Sequence, residues 1–432
     1  MPTTRDERGM LRLGGVDLAA VLRQTGAGTP TYVYDLDAIA AEARALEAAF
    51  EGAPHLVAYA VKANSAGPVI RALAGEGCGA DVVSGAELGL ALGCAIPPDR
   101  IVYSGVAKLA PEIDSAIGCG ERGIAAIQLE SIEEITRVEA RAAAQGRRVR
   151  VSARINPAAA AGSLDTHAHI ATGHDEAKFG IPRSDVGTAL AAIGTSPHLE
   201  LVGLSVHIGS QLSSTGAYAL AARDLFAIAR QVRGTAGARL AFVDTGGGFG
   251  VDYEGTRTGA VRPADFVREA RREQREAGLG DLALYVEPGR SLVAAHGVLL
   301  ARGVQQKTAL AGPGERRWLM IDAGMNDLIR PALYQARHRI VSLTSTAPRS
   351  DATVPWRVVG PVCESSDDFG EHELPREPPG EVAILDAGAY GFTMASHYNG
   401  RALPAEVFLR GGQIHKTSPR GSQDQWVLER LM

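Results

Sequence analysis

Four short stretches of this chain place chemically useful side chains directly after apolar, strand-like runs. They are Tyr59-Ala60-Val61-Lys62-Ala63-Asn64, His207-Ile208-Gly209-Ser210-Gln211, Gly246-Gly247-Gly248 and Glu287-Pro288-Gly289-Arg290. A lysine amine can form a Schiff base with an aldehyde. Consecutive glycines let backbone N–H groups approach phosphate oxygens, and a following Gly-Arg adds a cation. A carboxylate beside a ring nitrogen keeps that nitrogen protonated, and a flat imidazole can stack on a ring. Each stretch alone has an ordinary reading. A lysine after a strand usually snorkels to solvent, a lone histidine is more often structural, a glycine triplet is a turn, and a rim glutamate is solvated or ion-paired. Only their convergence on one surface would join them into a site.

The elements that must bring them together are legible as a repeat. Apolar runs predict eight strands: His55–Val61, Ala80–Val83, Ile101–Ser104, Ile124–Leu129, Val149–Ile155, Leu199–Val206, Leu240–Asp244 and Leu282–Glu287. Between them the sequence predicts helices at Gly67–Gly75, Gly85–Leu92, Pro111–Ile117, Ser131–Ala144, Ser184–Ile193, Ala217–Val232 and Pro263–Ala277. Alternation of this kind implies parallel βαβ units, and eight units imply a closed (β/α)8 barrel. Active sites of such barrels lie at the C-terminal ends of the strands, with a phosphate corner at strands seven and eight. Lys62, His207, Gly246–Gly248 and Glu287 then share one rim, at strands one, six, seven and eight. Amine, phosphate cup, acid and stacking ring together describe a pyridoxal 5'-phosphate site.

An additional helix is predicted at Leu36–Phe50, ahead of the first strand. After Arg290 the alternation stops, and strand-like runs follow at Leu292–Val304, Trp318–Ile321, Arg339–Leu343, Trp356–Val359, Val382–Leu385 and Glu406–Arg410. The division expected is an N-terminal segment, 1–35, whose Thr31–Tyr34 strand packs with the β domain, a barrel over 36–290, and an all-β C-terminal domain over 291–432. Thr344–Thr353 and Glu371–Gly380 read as surface loops.

The chain has 432 residues, 45% hydrophobic and 22% charged, with a net charge of -5. That balance excludes a disordered chain and disfavours nucleic acid as a partner. No apolar run is long enough for a membrane span, and MPTTRDERGM lacks the shape of a signal peptide. Cys78, Cys94, Cys119 and Cys363 form no C-x-x-C pair, which points to free thiols in a cytoplasmic protein. His167, His169 and His174 lie close together, but no carboxylates stand at ligand spacing, so no metal is expected.

The four stretches resemble the barrel-type (fold type III) pyridoxal phosphate decarboxylases, and the match runs from about Thr31 to Leu409. Within that family, Arg330-Pro331-Ala332-Leu333-Tyr334-Gln335-Ala336 and Gly360-Pro361-Val362-Cys363-Glu364-Ser365-Ser366-Asp367 resemble the diaminopimelate decarboxylases. So do Gly388-Ala389-Tyr390-Gly391 with Met394, Ser396, Tyr398 and Asn399, and Thr172-Gly173 with Lys178-Phe179-Gly180-Ile181. The resemblance implies decarboxylation of meso-2,6-diaminopimelate to L-lysine, the last step of lysine biosynthesis.

The resemblance also implies roles. Lys62 would carry the cofactor, His207 would stack on it, and Glu287 would face the pyridine nitrogen. Ser210, Gly247, Gly248, Gly289, Arg290 and Tyr390 would surround the phosphate, with Arg290 and Tyr390 also facing substrate. Arg330, Tyr334 and Glu364 would hold the distal end of the substrate, and Cys363 would sit near the reacting carbon. Cys363 and Glu364 would come from a partner subunit, making the active unit a homodimer. Asp81 is a further cofactor-site candidate, with a structural hydrogen-bonding role as its alternative. Two other readings stand beside this one: a decarboxylase of ornithine, arginine or another amino acid, with Glu364 weighing against ornithine, and a non-catalytic relative that binds a partner, against which Lys62 weighs.

Overall fold

The computed structural model describes residues 3–157, 177–234, 239–255, 261–309, 316–344, 353–377 and 379–432. Thr172, Gly173, His167, His169 and His174 lie outside them. The described chain divides into two compact units. One comprises Ala40–Val251 with Gly259–Ser291, the other Met1–Ile39 with Asp252–Thr258 and Leu292–Met432.

The first unit holds a closed barrel of eight parallel strands: His55–Ala60, Gly79–Val82, Ile101–Tyr103, Ala126–Leu129, Val149–Arg154, Leu199–Ser205, Phe242–Gly247 and Ala283–Glu287. They are called the first to eighth barrel strands below. The eighth closes on the first, with Leu284 opposite His55 and Val286 opposite Val57. These strands lack the alternation of a half-exposed sheet because helices cover them outside and side chains fill them inside; Ala126–Leu129 is buried at every position. Gly203 leaves room for the Phe242 ring, since a Cβ there would stand 2.3 Å from its carbons. That ring in turn stacks on Tyr285 at 4.1 Å. Helices begin where the sequence supplies caps: Ser84 Oγ accepts from the Glu87 N–H and Ser131 Oγ from the Glu134 N–H, both at 3.2 Å.

The second unit is mostly β. Its main sheet runs Asp368–Pro375, Thr353–Val359, Arg316–Ile321, Gly297–Ala309, Thr31–Asp35, Ala405–Arg410, Gln413–Ser418, with Glu381–Ile384 also pairing with Gly297–Ala309 and Ile340–Ser342 pairing in turn with Glu381–Ile384. Thr31–Asp35 lies inside this sheet, antiparallel to Gly297–Ala309 and parallel to Ala405–Arg410. Leu13, Val21, Val33, Leu300, Val407 and Leu409 belong to its core.

Three expectations need correction. Leu292 and Val293 are not strand. They close a short helix, Arg290–Val293, and the strand starts at Gly297. A short apolar run has no period by which to separate buried helix from buried strand. Glu371–Pro375 is not loop but the end of the strand Asp368–Pro375. Phe369, His372 and Leu374 are buried while Glu371 and Glu373 are exposed, and its charge suits a strand at the end of the sheet order. The unit also carries helices that a purely β reading omits, at Leu18–Thr25, Arg330–Tyr334 and Gln423–Leu431.

Candidate active site

The barrel rim is built from strand ends. After the first strand the backbone makes a single 3-10 turn, Val61–Ala63, which carries Lys62. Lys62 Nζ bonds Asp81 Oδ2 on the second strand; Asp81 is wholly buried, while the lysine side chain is 39% exposed. The amine is therefore anchored by a buried carboxylate on a side chain that remains partly exposed.

His207 follows the sixth strand. Its Nδ1 accepts the backbone N–H of Gly247 at 3.1 Å, which puts the ring proton on Nε2. Burial pushes its pKa well below the ordinary range, and the cations Arg154 and Lys62 push the same way, so the imidazole is neutral. Gly246, at φ +70°, makes this contact possible; a Cβ there would meet His207 Nδ1 at 2.7 Å. The same closeness holds at Gly247 and Gly248, where a Cβ would stand 2.0 Å from the carbonyl oxygens of Glu287 and Gly209. The glycine run is thus a close approach of three backbones. Arg290, buried, donates through Nη2 to Ser210 Oγ at 3.0 Å. Gly289 rests on Ala60 and Ala63, each Cβ 3.0 Å from where its own would be.

Glu287 ends the eighth strand and is buried. Ser104 Oγ and Gln128 Nε2 donate to its Oε1 at 3.2 and 2.7 Å. Burial, then the neighbouring Asp244 and Asp81, push its pKa well above the ordinary carboxylate range. Sequence reasoning missed Gln128 and Asp244, and also Arg154. Arg154 pairs with Glu130 at 3.1 Å, lies over the Phe179 ring at 4.9 Å and reaches the carbonyl of His207 at 3.5 Å. Their only signal was position near a strand end.

The candidates for the distal substrate end lie in the second unit. Arg330 is buried at the start of a short helix, its Nη1 2.7 Å from His338 Nε2 and its guanidinium 4.5 Å from the Tyr253 ring centroid. Tyr334 ends the same helix, half-buried. Cys363 is exposed and its N–H donates to Asn399 Oδ1 at 2.9 Å. Glu364, also exposed, accepts from Tyr398 Oη and, at 3.1 Å, from Ser366 Oγ. Tyr390 adopts φ +54°, a conformation rare for a bulky residue and common at ligand sites. Among the described residues no three His, Cys, Asp or Glu side chains cluster as metal ligands, and no helix is long and apolar enough to cross a membrane.

Residues 36–294 match the pyridoxal-dependent decarboxylase family over its pyridoxal binding domain. The diaminopimelate decarboxylase of Pseudomonas fluorescens is 40% identical over 414 residues, 95% of this chain and 94% of that one. The chain belongs to the diaminopimelate decarboxylases. Among solved structures, that of the Helicobacter pylori diaminopimelate decarboxylase complexed with L-lysine superposes with a TM-score of 0.85 at 37% identity, covering 96% of this chain and 99% of that one. The diaminopimelate decarboxylase from m. jannaschii in co-complex with L-lysine gives a TM-score of 0.89 at 30% identity, covering 100% of this chain and 98% of that one. A chlorella virus arginine decarboxylase, 17% identical with a TM-score of 0.78, shares the fold.

The rim fits the pyridoxal phosphate of this decarboxylase family on its own chemistry. It offers a partly exposed lysine, a neutral imidazole, a buried carboxyl able to meet a ring nitrogen, and a glycine run with Ser210 and Arg290 beside it.

Proposed function

We propose that the chain removes carbon dioxide from meso-2,6-diaminopimelate and releases L-lysine, using pyridoxal phosphate. The observation that carries this reading is the rim itself, where Lys62, His207, Gly246–Gly248, Glu287 and Arg290 end the first, sixth, seventh and eighth strands of one closed barrel. When bound, the cofactor supplies an electron-withdrawing ring that accepts the electron pair left behind as carbon dioxide departs. The chain's residues supply the rest. Lys62 Nζ attaches the cofactor and afterwards returns a proton to the reacting carbon. Asp81 holds that amine in place. His207, neutral, offers a flat face without competing for the ring's proton. Glu287 faces the ring nitrogen. Ser210, Gly247, Gly248, Gly289, Arg290 and Tyr390 take the phosphate, with Arg290 and Tyr390 also turned to substrate.

Substrate choice falls to the distal groups. Diaminopimelate carries both an ammonium and a carboxylate at its far carbon, whereas ornithine lacks the carboxylate. Arg330, assisted by Tyr334, suits the planar carboxylate, and Glu364 suits the ammonium. A buried guanidinium left without its anion disfavours ornithine. Carbon dioxide release from a panel of amino acids should favour diaminopimelate. In Arg330→Ala, kcat/KM for diaminopimelate should fall about 10²-fold or more while that for ornithine changes little, since a site built for a polar group rejects the analogue lacking it. A parent enzyme that prefers ornithine, or an unchanged ratio in the variant, refutes this pocket.

The working unit we propose is a homodimer in which Cys363 and Glu364 complete the neighbour's site. Both are exposed in the single chain, as residues donated outward would be, and Cys363 is then near the reacting carbon. Lys62→Ala mixed with Glu364→Ala should recover part of the parent activity, because a mixed dimer regains one intact site. No recovery despite demonstrated subunit exchange places both residues in one site of one chain. Four free thiols support a cytoplasmic workplace.

A further inference from the structure

Behind Glu287 lies a second buried carboxyl. Asp244 stands on the seventh barrel strand, next to the eighth, and is wholly enclosed. Gln128, from the fourth strand, joins the two across the barrel lumen. Its Nε2 donates to Glu287 Oε1 at 2.7 Å and to Asp244 Oδ2 at 3.3 Å. Its Oε1 accepts Ser205 Oγ at 2.8 Å. Gly246 N–H holds Asp244 Oδ1 at 2.8 Å, and Ser104 Oγ holds Glu287 Oε1 at 3.2 Å. Ser104, Gln128, Ser205, Asp244 and Glu287 are all buried, so three further strand or strand-end positions converge on one buried carboxyl pair.

Two neighbouring carboxyls in such a place do not both ionise readily. Burial first raises both, Asp244 to about 7 and Glu287 well above its ordinary range; the hydrogen bonds from Gly246 and Glu287 oppose it at Asp244, Lys62 opposes it at Glu287, and at both Asp81 raises while Arg154 lowers.

We propose that Asp244 is a positioning residue that works through Glu287: the pair holds one proton, and Asp244 keeps it on Glu287, ready for the ring nitrogen. This rests on the reading above that Glu287 faces that nitrogen. With the cofactor bound, Glu287 would give its proton to the ring nitrogen and stay beside it as a carboxylate, with no net change of charge. The anion of Asp244 behind it favours the proton on nitrogen. Gln128 keeps both carboxyls in register through the exchange.

The test uses the holoenzyme loaded with cofactor carrying nitrogen-15 in its ring, followed by nuclear magnetic resonance across the neutral pH range. The parent should show a protonated nitrogen throughout. Asp244→Asn should move the signal toward the unprotonated position as pH rises. Its kcat should fall about tenfold, the loss expected for a change of one pH unit in the nitrogen's proton affinity, with KM for substrate unchanged. Asp244→Asn/Glu287→Gln should match Glu287→Gln alone, because Asp244 acts only through Glu287. A nitrogen that stays protonated in a folded Asp244→Asn overturns the proposal, as does an additive loss in the double variant. Asp244→Ser, which retains an acceptor for Gly246, carries the same expectations if the asparagine variant does not fold. If Glu287→Gln also leaves the nitrogen protonated, the reading of Glu287 itself fails, a result distinct from failure of Asp244 alone.

Discussion

Lys62→Ala should lose turnover by about 10⁴-fold or more, because the covalent tether and the amine that moves the proton vanish together. Borohydride treatment of the parent should fix cofactor on the peptide that contains Lys62, and mass spectrometry of the variant should find none. Stability should fall as well, for a reason separate from chemistry. Asp81 is wholly buried and Lys62 is the cation bonded to it. Removing the partner of a buried charge costs about 2 kcal/mol, at the lower end for buried pairs because Lys62 is partly open to water. Lys62→Ala/Asp81→Asn should recover the melting temperature without recovering turnover, which separates the two roles. Near-parent turnover in Lys62→Ala would remove the lysine from the chemistry.

The rim was legible in the sequence because barrel geometry converts order along the chain into position around a ring. Once eight strands alternate with helices, a residue just after each strand must sit on one face. Lys62, His207 and Glu287 could be placed that way from sequence alone. The residues behind them could not. Gln128 and Ser205 lie within strands, where an inward polar side chain breaks no pattern visible in a fully buried run. Asp244 ends what reads as an apolar strand and looks like a turn residue leading into the glycines; the structure instead continues that strand to Gly247. Their function arises only when the sheet closes and strands four, six, seven and eight face one another across the lumen. The charged strand Asp368–Pro375 was hidden for a different reason. Its alternation is carried by buried His372 and Leu374 against exposed Glu371 and Glu373, and at the end of a sheet charge is a protection against further pairing that resembles loop composition. The strands at Thr3–Arg5, Leu11–Leu13 and Val16–Asp17 are too short to show any period.

Glu287→Gln should act in opposite directions on turnover and on stability. The glutamine can still accept from Ser104 and Gln128, so the site should keep its shape and bind cofactor. What it cannot do is carry a negative charge against a protonated nitrogen. The expected loss in kcat is about 10²- to 10³-fold, the size of removing one electrostatic partner from a water-excluded site. For the cofactor-free protein the sign reverses. Glu287 holds its proton in the folded chain to a pH well above the ordinary carboxylate range, chiefly through burial and then through Asp244 and Asp81. The unfolded chain releases that proton near the ordinary value, at about pH 4.3. Between those two points the folded state binds more protons, so its stability falls as pH rises. Glutamine has no proton to lose. The cofactor-free variant should therefore melt higher than the parent at neutral and mildly alkaline pH, with the difference shrinking as pH falls toward the ordinary carboxylate range. A carboxyl kept only for structure would give the reverse, a lower melt with turnover intact. A variant that alters cofactor affinity alone, with kcat preserved, would mean that some other group holds the ring nitrogen's proton.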